Sequence, residues 1–296
     1  MLTGTRVNTL LLTLVLIVGL AILAMLAADV RGGPLDPPGP PGSTDGVREP
    51  GTPISSVPFT INTGGRYYLT RNLTGSAGQS GVTIAADNVT LDLGGFTLVG
   101  VNGSVNGVFV SGARTGITIE GGTIRGWFNG IDATAATYSR VVGTAVIANG
   151  QALGDGSYGI LIGESSVVRD CQVSINLNHG IYLGPRGRVH DCSISQNGGS
   201  GVLVNGYAMV DRNSIVYNGL NNDATGGVVI QGNENTIREN MLGNFGDVVF
   251  ADTYVFNTII DNTTDFCGSI VVPPSNFAPK NGVVHSNVGD DANGYC

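Results

Sequence analysis

Two pairs of residues recur at a spacing that could carry chemistry. Asp170 and Asp191 lie 21 residues apart, and so do Cys171 and Cys192. Carboxylates brought side by side repel unless a cation intervenes, so Asp170 and Asp191 are candidate ligands for Ca²⁺, with Arg212 as the competing partner. Thiols brought side by side are within disulfide reach, and an oxidising compartment would permit the bond. Cys171–Cys192 is therefore a possible disulfide, with two stacked interior thiols as the alternative. The spacing is not the CxxC of a zinc site. Cys267 and Cys296 form a second possible bridge, one that would tie the end of the chain to what precedes it.

The interval of 21 residues belongs to a repeat. GILIGESSVVRDCQVSINLNH from Gly159 is followed by GIYLGPRGRVHDCSISQNGG from Gly180. Gly159 maps onto Gly180, Val168 onto Val189 and Asn176 onto Asn197. Each copy holds short apolar alternations broken by Gly, Asn and Asp. Alternation with a period of two makes strands, and no helical spacing is present. One copy cannot bury its own apolar face, so neighbouring copies must stack as a solenoid. Glycine-led strand starts fall at Gly81, Gly107, Gly130, Gly159, Gly180, Gly201 and Gly227, with weaker ones at Asp247 and Ser269. Twenty-odd residues and three short strands per copy predict an all-β chain, a right-handed parallel β-helix of about nine coils.

The remaining segments fit around this body. Arg6 precedes an uncharged run over residues 10–28, so 1–28 reads as a signal peptide or a membrane anchor. Residues 29–53 are rich in Pro and Gly and predict a disordered linker. The β-helix domain then spans 54–296, with an N-terminal cap over 54–80, coils over 81–269 and a C-terminal cap over 270–296. Within the coils, alignment places Cys171, Cys192, Asn213, Asn240 and Asn262 at one turn. Asn149, Asn176, Asn197 and Asn218 fall at another. Stacked Asn side chains can hydrogen-bond along the axis and satisfy turn groups that no strand reaches. An outward ladder runs Arg169, His190, Asp211, Arg238. Beside it lie Asp170, Asp191, Arg212, Glu239 and Asp261. Four Asn-x-Ser/Thr sequons begin at Asn72, Asn88, Asn102 and Asn262.

GGRYYLTRNLT, GVTIAADNVTLDLGGFTLVG and the GIxL…V-x-D-C/N-x-I…N coils resemble secreted β-helix repeat proteins of the pectin-lyase-like superfamily. The resemblance covers about residues 54–270. It implies a right-handed parallel β-helix whose substrate face is the sheet of GIxL strands. It does not fix an activity, because the superfamily holds lyases, hydrolases, epimerases and members with none assigned. The outward row of that sheet is expected to run Phe109, Asp132, Leu161, Tyr182, Leu203, Val229, Val249, an apolar row with one carboxylate. WFNGIDA, SYGILI and NHGIYL are similar to the three active-site coils of polygalacturonases. The resemblance puts Asp132 and His179 at catalytic positions, with Asn129 in place of one Asp and Ser157-Tyr158 in place of an Asp pair. Inverting hydrolysis needs an acid and a base across the scissile bond, and only Asp132 remains of the carboxylates. Tyr182 and Phe109 could stack on sugar rings.

The chain of 296 residues has a net charge of −8, and its one lysine is Lys280. No cationic cluster is present for a phosphate backbone, which excludes nucleic acid as the expected partner. The expected function is an extracellular β-helix, secreted or membrane-anchored, that binds a polysaccharide or cell-envelope component or serves as a structural module without turnover. The alternative is a lyase, hydrolase or epimerase acting on uronate-type polysaccharide at the GIxL face. No cofactor is expected apart from the possible Ca²⁺.

Overall fold

The apolar positions of each copy are mostly Ile, Val and Leu. Branching at Cβ stiffens Val and Ile for strands and suits them to stacking on a pleated surface. The computed structural model describes residues 51–151, 156–219, 226–244, 248–250, 256–264, 270–271 and 282–285. The chain divides into two units, Met1–Arg48 and Glu49–Cys296. The first, with the expected export segment, lies outside the described residues, as do Cys267 and Cys296. Among the described residues no helix is long and apolar enough to cross a membrane.

The described residues form three parallel sheets, and each complete coil contributes one strand to each sheet. The coil from Tyr158 shows the order. Tyr158–Ile162 lies in the GIxL sheet, Val167–Arg169 in the second and Gln172–Ser174 in the third; the chain then re-enters the first as His179–Leu183. The GIxL sheet has 10 strands, the second 11 and the third 9. Strand pairing is parallel throughout, so residue stacks on residue from coil to coil. A strand of the GIxL sheet lies at or directly after each of the seven glycine-led starts, and Val248–Phe250 and Ile270–Val271 continue the sheet; Asp247 and Ser269 themselves lie outside the described residues.

The strands begin earlier and end later than the expected caps imply. Phe59–Ile61, Gly65–Leu69 and Leu73–Thr74 already belong to the three sheets, and Thr52–Ile54 pairs beneath Gly65–Leu69. At the other end Ile270–Val271 and Gly282–His285 extend the GIxL and second sheets. Residues 54–80 therefore coil like the rest, and the pattern continues past Ser269. The reason is local. Phe59-Thr-Ile61 and Tyr67-Tyr-Leu69 alternate as the later strands do, but Phe59–Ile61, the strand in the GIxL sheet, has no leading glycine to mark it.

The core is a set of axial columns. Val108, Ile131, Ile160, Ile181, Val202 and Val228 stack inside the GIxL sheet, all fully buried. Each such side chain contributes about 1.5–3 kcal/mol by leaving water. Turns cannot use strand pairing, and the Asn ladders complete them. Asn197 donates its carboxamide N–H to Val173 O at 3.1 Å and to Asn218 Oδ1 at 2.8 Å. Its own Oδ1 accepts from the backbone N and from Nδ2 of Asn176. The pattern recurs at Asn149, Asn176 and Asn218 and reaches Asn244. At the N-terminal end Trp127 donates its backbone N–H to Asn149, and its buried ring closes the ladder. The second expected ladder is also present, through Asn213, Asn240 and Asn262. A third pairs Asn235 with Asn257.

The glycines that lead each GIxL strand have a steric cause. A Cβ on Gly180 would lie 2.4 Å from Gly201 O and 3.0 Å from Asn197 Nδ2. Gly130, Gly159 and Gly201 would meet the next glycine carbonyl and the adjacent Asn in the same way. The glycine column leaves the space that the Asn column occupies. Asn197→Ala should thus lower the unfolding free energy by about 2–4 kcal/mol in denaturant titration, because it leaves several buried partners unpaired. Gln196→Gly, at the exposed left-handed turn residue beside it, should change it by less than about 0.5 kcal/mol.

Candidate functional site

The outward row of the GIxL sheet is as expected in register. Phe109, Asp132, Leu161, Tyr182, Leu203, Val229 and Val249 stack in one line. It is not exposed along its length. Phe109, Asp132, Leu161 and Tyr182 are half-buried, but Leu203 and Val229 are only 6% and 5% exposed. Leu203 and Val229 thus interrupt the face: accessible positions run from Thr60 and Thr83 through Phe109 to Tyr182 and resume at half-buried Val249.

Asp132 and His179 do not come together. Asp132 is in register with Tyr182 two strands on, and His179 precedes Tyr182 by three residues. That offset separates their backbones by roughly 14 Å. Each has local work instead. The Asp132 carboxylate accepts from the backbone N–H and the hydroxyl of Thr134. His179 Nδ1 accepts from the backbone N–H of buried Ser200 at 3.1 Å. That bond needs the neutral ring with its proton on Nε2. Burial lowers the His179 pKa and so favours the same form. Asn129 has the equivalent role on an earlier coil, where its Oδ1 accepts from Tyr158 N at 2.8 Å. His179 is thus a turn acceptor in a column that also holds Asn106, Asn129 and Tyr158.

The same column builds an aromatic cluster. Tyr158 stacks on His179, with centroids 4.9 Å apart and planes 27° apart. Its edge meets Tyr182 at 6.2 Å and 77°. The Tyr182 hydroxyl accepts from the Asn205 carboxamide. Burial, and then the neighbouring Tyr182, raise the Tyr158 pKa, so this phenol is neutral at pH 7. Tyr158 lies outside the expected site residues. Its signal is the residue before each leading glycine: Asn129, Tyr158, His179 and Ser200 stack in sequence order.

The charged ladder lies on the second sheet, away from this cluster. Arg169, His190, Asp211 and Arg238 are stacked as expected. Asp170 and Asp191 pair with different arginines. Asp170 pairs with Arg169 at 2.5 Å, and Asp191 with Arg212 at 3.0 Å and His190 at 2.6 Å. Arg212 and His190 hold the Asp191 carboxyl at about 2. Asp211 is buried. Burial alone would raise its pKa, but Arg188 and Arg212 outweigh that and lower it. Among the described residues no group of three or more His, Cys, Asp or Glu could hold a metal. Each of the two carboxylates expected to bind Ca²⁺ has its own arginine partner.

Cys171 and Cys192 are free, buried thiols. They stand in the second Asn ladder, where Cys171 N–H donates to Cys192 Sγ at 3.5 Å and Cys192 N–H to Asn213 Oδ1 at 3.0 Å. Their hydrogen bond and then burial push the Cys192 thiol up. Of the sequons, Asn262 is buried in the ladder and cannot take a sugar, whereas Asn72, Asn88 and Asn102 are exposed.

The family described as "right handed beta helix region" matches residues 80–242 and 158–295. The chain belongs to this right-handed β-helix family. No curated protein sequence matches it. Among solved structures, this β-helix is similar to a pectate lyase, with a TM-score of 0.52 and 14% identity over 83% of this chain and 70% of that one. It is also similar to the A-module of a mannuronan C-5 epimerase from Azotobacter vinelandii, with a TM-score of 0.50 and 13% identity over 80% and 81%. The Dettilon tailspike protein aligns with a TM-score of 0.53 and 14% identity over 80% of this chain and 59% of its own. At such identities the likeness is one of fold.

Two measurements check these roles. His179→Asn should fold as the wild type does, and His179→Ala should be less stable. Because the folded His179 pKa is depressed, stability from this site is complete above the ordinary imidazole range near 6.5 and falls as pH drops through it; His179→Asn should remove that slope. Asp191 behaves likewise at lower pH. Its contribution is present above about 4 and is lost as pH falls toward about 2, and a chelator should leave the unfolding midpoint unchanged. A chelator-induced fall would restore the calcium reading.

Proposed function

We propose that this β-helix binds a polysaccharide or another glycan of the cell envelope through the GIxL face, without turning it over. The observation that carries this reading is the half-buried cluster of Tyr158, His179 and Tyr182, with Phe109 farther along the accessible stretch of the outward row. Flat rings held by hydrogen bonds and stacking present apolar faces to sugar C–H groups at low entropic cost.

Turnover would require more than this face supplies. Lyases and epimerases abstract a proton with a positioned base, and hydrolases place an acid and a base across one bond. Asp132 is the one carboxylate of the outward row, and His179 stands apart from it with Nδ1 engaged by Ser200. The neighbours named as a pectate lyase and a mannuronan epimerase support a polysaccharide as the partner. The uncharged run over residues 10–28 behind Arg6 supports export or anchorage, which would place the face outside the cytoplasm.

Titration with neutral galactomannan and glucan oligosaccharides and with polygalacturonate and mannuronan oligosaccharides, followed by NMR, tests the reading. Shifts should map to Tyr158, His179 and Tyr182, and Tyr182→Ala should weaken binding about three- to tenfold. No unsaturated or reducing-end product should accumulate. Product formation that disappears in Asp132→Ala would replace the binding reading with an enzymatic one.

A further inference from the structure

We infer that the turn leaving the GIxL sheet forms a track for a neutral polysaccharide chain. This deepens the binding function proposed above and rests on it. The track is the column Tyr138, Ser165, Arg186, Tyr207, Glu234, Phe256. Strand register stacks these six residues from coil to coil. Backbone bonds from Tyr138 N to Glu164 O, Ser165 N to Pro185 O, Arg186 N to Gly206 O and Tyr207 N to Asn233 O hold most of the steps. At the inter-strand spacing, Tyr138 and Tyr207 are about 14 Å apart and Tyr207 and Phe256 about 10 Å.

The aromatics of this column are in the wrong place for stability. Tyr138, Tyr207 and Phe256 have φ of 51°, 62° and 60°. Left-handed backbone favours Gly and Asn and penalises bulky side chains. Burial could offset that penalty, but the three rings are 68%, 57% and 58% exposed. More than half of each side chain is in solvent, so burial offsets only part of that penalty. A strained, exposed ring repeated along one axis fits a partner outside the chain.

Three features select the partner. The rings are separated by Ser165, Arg186 and Glu234, so the column is a line of flat platforms and not a continuous apolar stripe for a protein. The column continues the GIxL face, because Asn205, two residues before Tyr207, donates its carboxamide N–H to Tyr182. The charge favours a neutral chain over a polyanion along this column. The chain carries −8, and the guanidinium of the column, Arg186, is paired with Glu164.

The test uses the full chain in affinity electrophoresis through gels containing hydroxyethylcellulose, galactomannan, dextran or polygalacturonate. The variant is the triple Tyr138→Asn, Tyr207→Asn, Phe256→Asn, since Asn accepts left-handed backbone. We expect its thermal midpoint to equal or exceed that of the wild type. We also expect retardation by at least one neutral polymer to weaken about tenfold. A structural role for the rings would instead lower the midpoint. The inference is overturned if the triple variant keeps wild-type retardation while Tyr182→Ala loses it, which leaves the GIxL reading standing. It is likewise overturned if polygalacturonate retards the wild type more than every neutral polymer does. Loss of self-association in sedimentation, with glycan binding intact, would assign the column to a second copy. A wild type that no polymer retards removes the binding function together with the track.

Discussion

Everything in this β-helix depends on a steric fit between two columns. Where the chain enters each GIxL strand, the backbone of one coil sits so close to the next that a Cβ would strike a carbonyl. Glycine resolves the conflict, and the cleared space holds the Asn carboxamides of the adjacent turn. Those carboxamides satisfy backbone groups that parallel pairing leaves orphaned at the corners. Neither column is tenable alone. Without the glycines the Asn side chains would not fit, and without the Asn side chains buried turn groups would go unpaired. Trp127 shows the same rule at its limit. Where the ladder stops, a single large ring fills the interior, and Gly75, Gly81 and Gly107 are needed to accommodate it.

Once the corners are fixed in this way, the outward positions are free to vary. The second sheet uses this freedom for charge, with buried Asp211 held between Arg188 and Arg212. The GIxL sheet uses it for aromatic rings. His179 shows how the two demands meet in one residue. Its Nδ1 serves the turn as Asn129 does elsewhere, while its ring stacks on Tyr158. The aromatic cluster is thus anchored to the scaffold by the same kind of bond that closes the coils, which keeps the rings in place before any ligand arrives.

Much of this is legible in the sequence because a solenoid turns spacing into contact. A shift of 21 residues makes Asp170 and Asp191, Cys171 and Cys192, and Asn176 and Asn197 neighbours, and the outward row from Phe109 to Val249 follows from the same alignment. What spacing cannot convey is how side chains behave across a turn. Asp170 and Asp191 stack as expected, yet each turns to an arginine. Leu203 and Val229 occupy the expected row but are covered. Tyr158 is hidden in the sequence because it precedes its glycine, whereas the expected outward row lies two residues after each start. In the column just before the glycine Asn106, Asn129 and Ser200 are buried, whereas Tyr158 and His179 are half-buried. The strands at 59–74 are legible from their alternation, but Phe59–Ile61 lacks the glycine that leads the later GIxL strands, so the stretch reads as a cap.

The central claim is that a glycan lies against the rings of the GIxL face. Intermolecular NOEs between ¹³C-labelled tyrosine rings and an unlabelled bound oligosaccharide test it most directly. The account predicts contacts from Tyr158 and Tyr182 to sugar C–H protons. Contacts confined to tyrosines off this face and its flanking turn column, or none from Tyr158 and Tyr182 at saturating ligand, would contradict it.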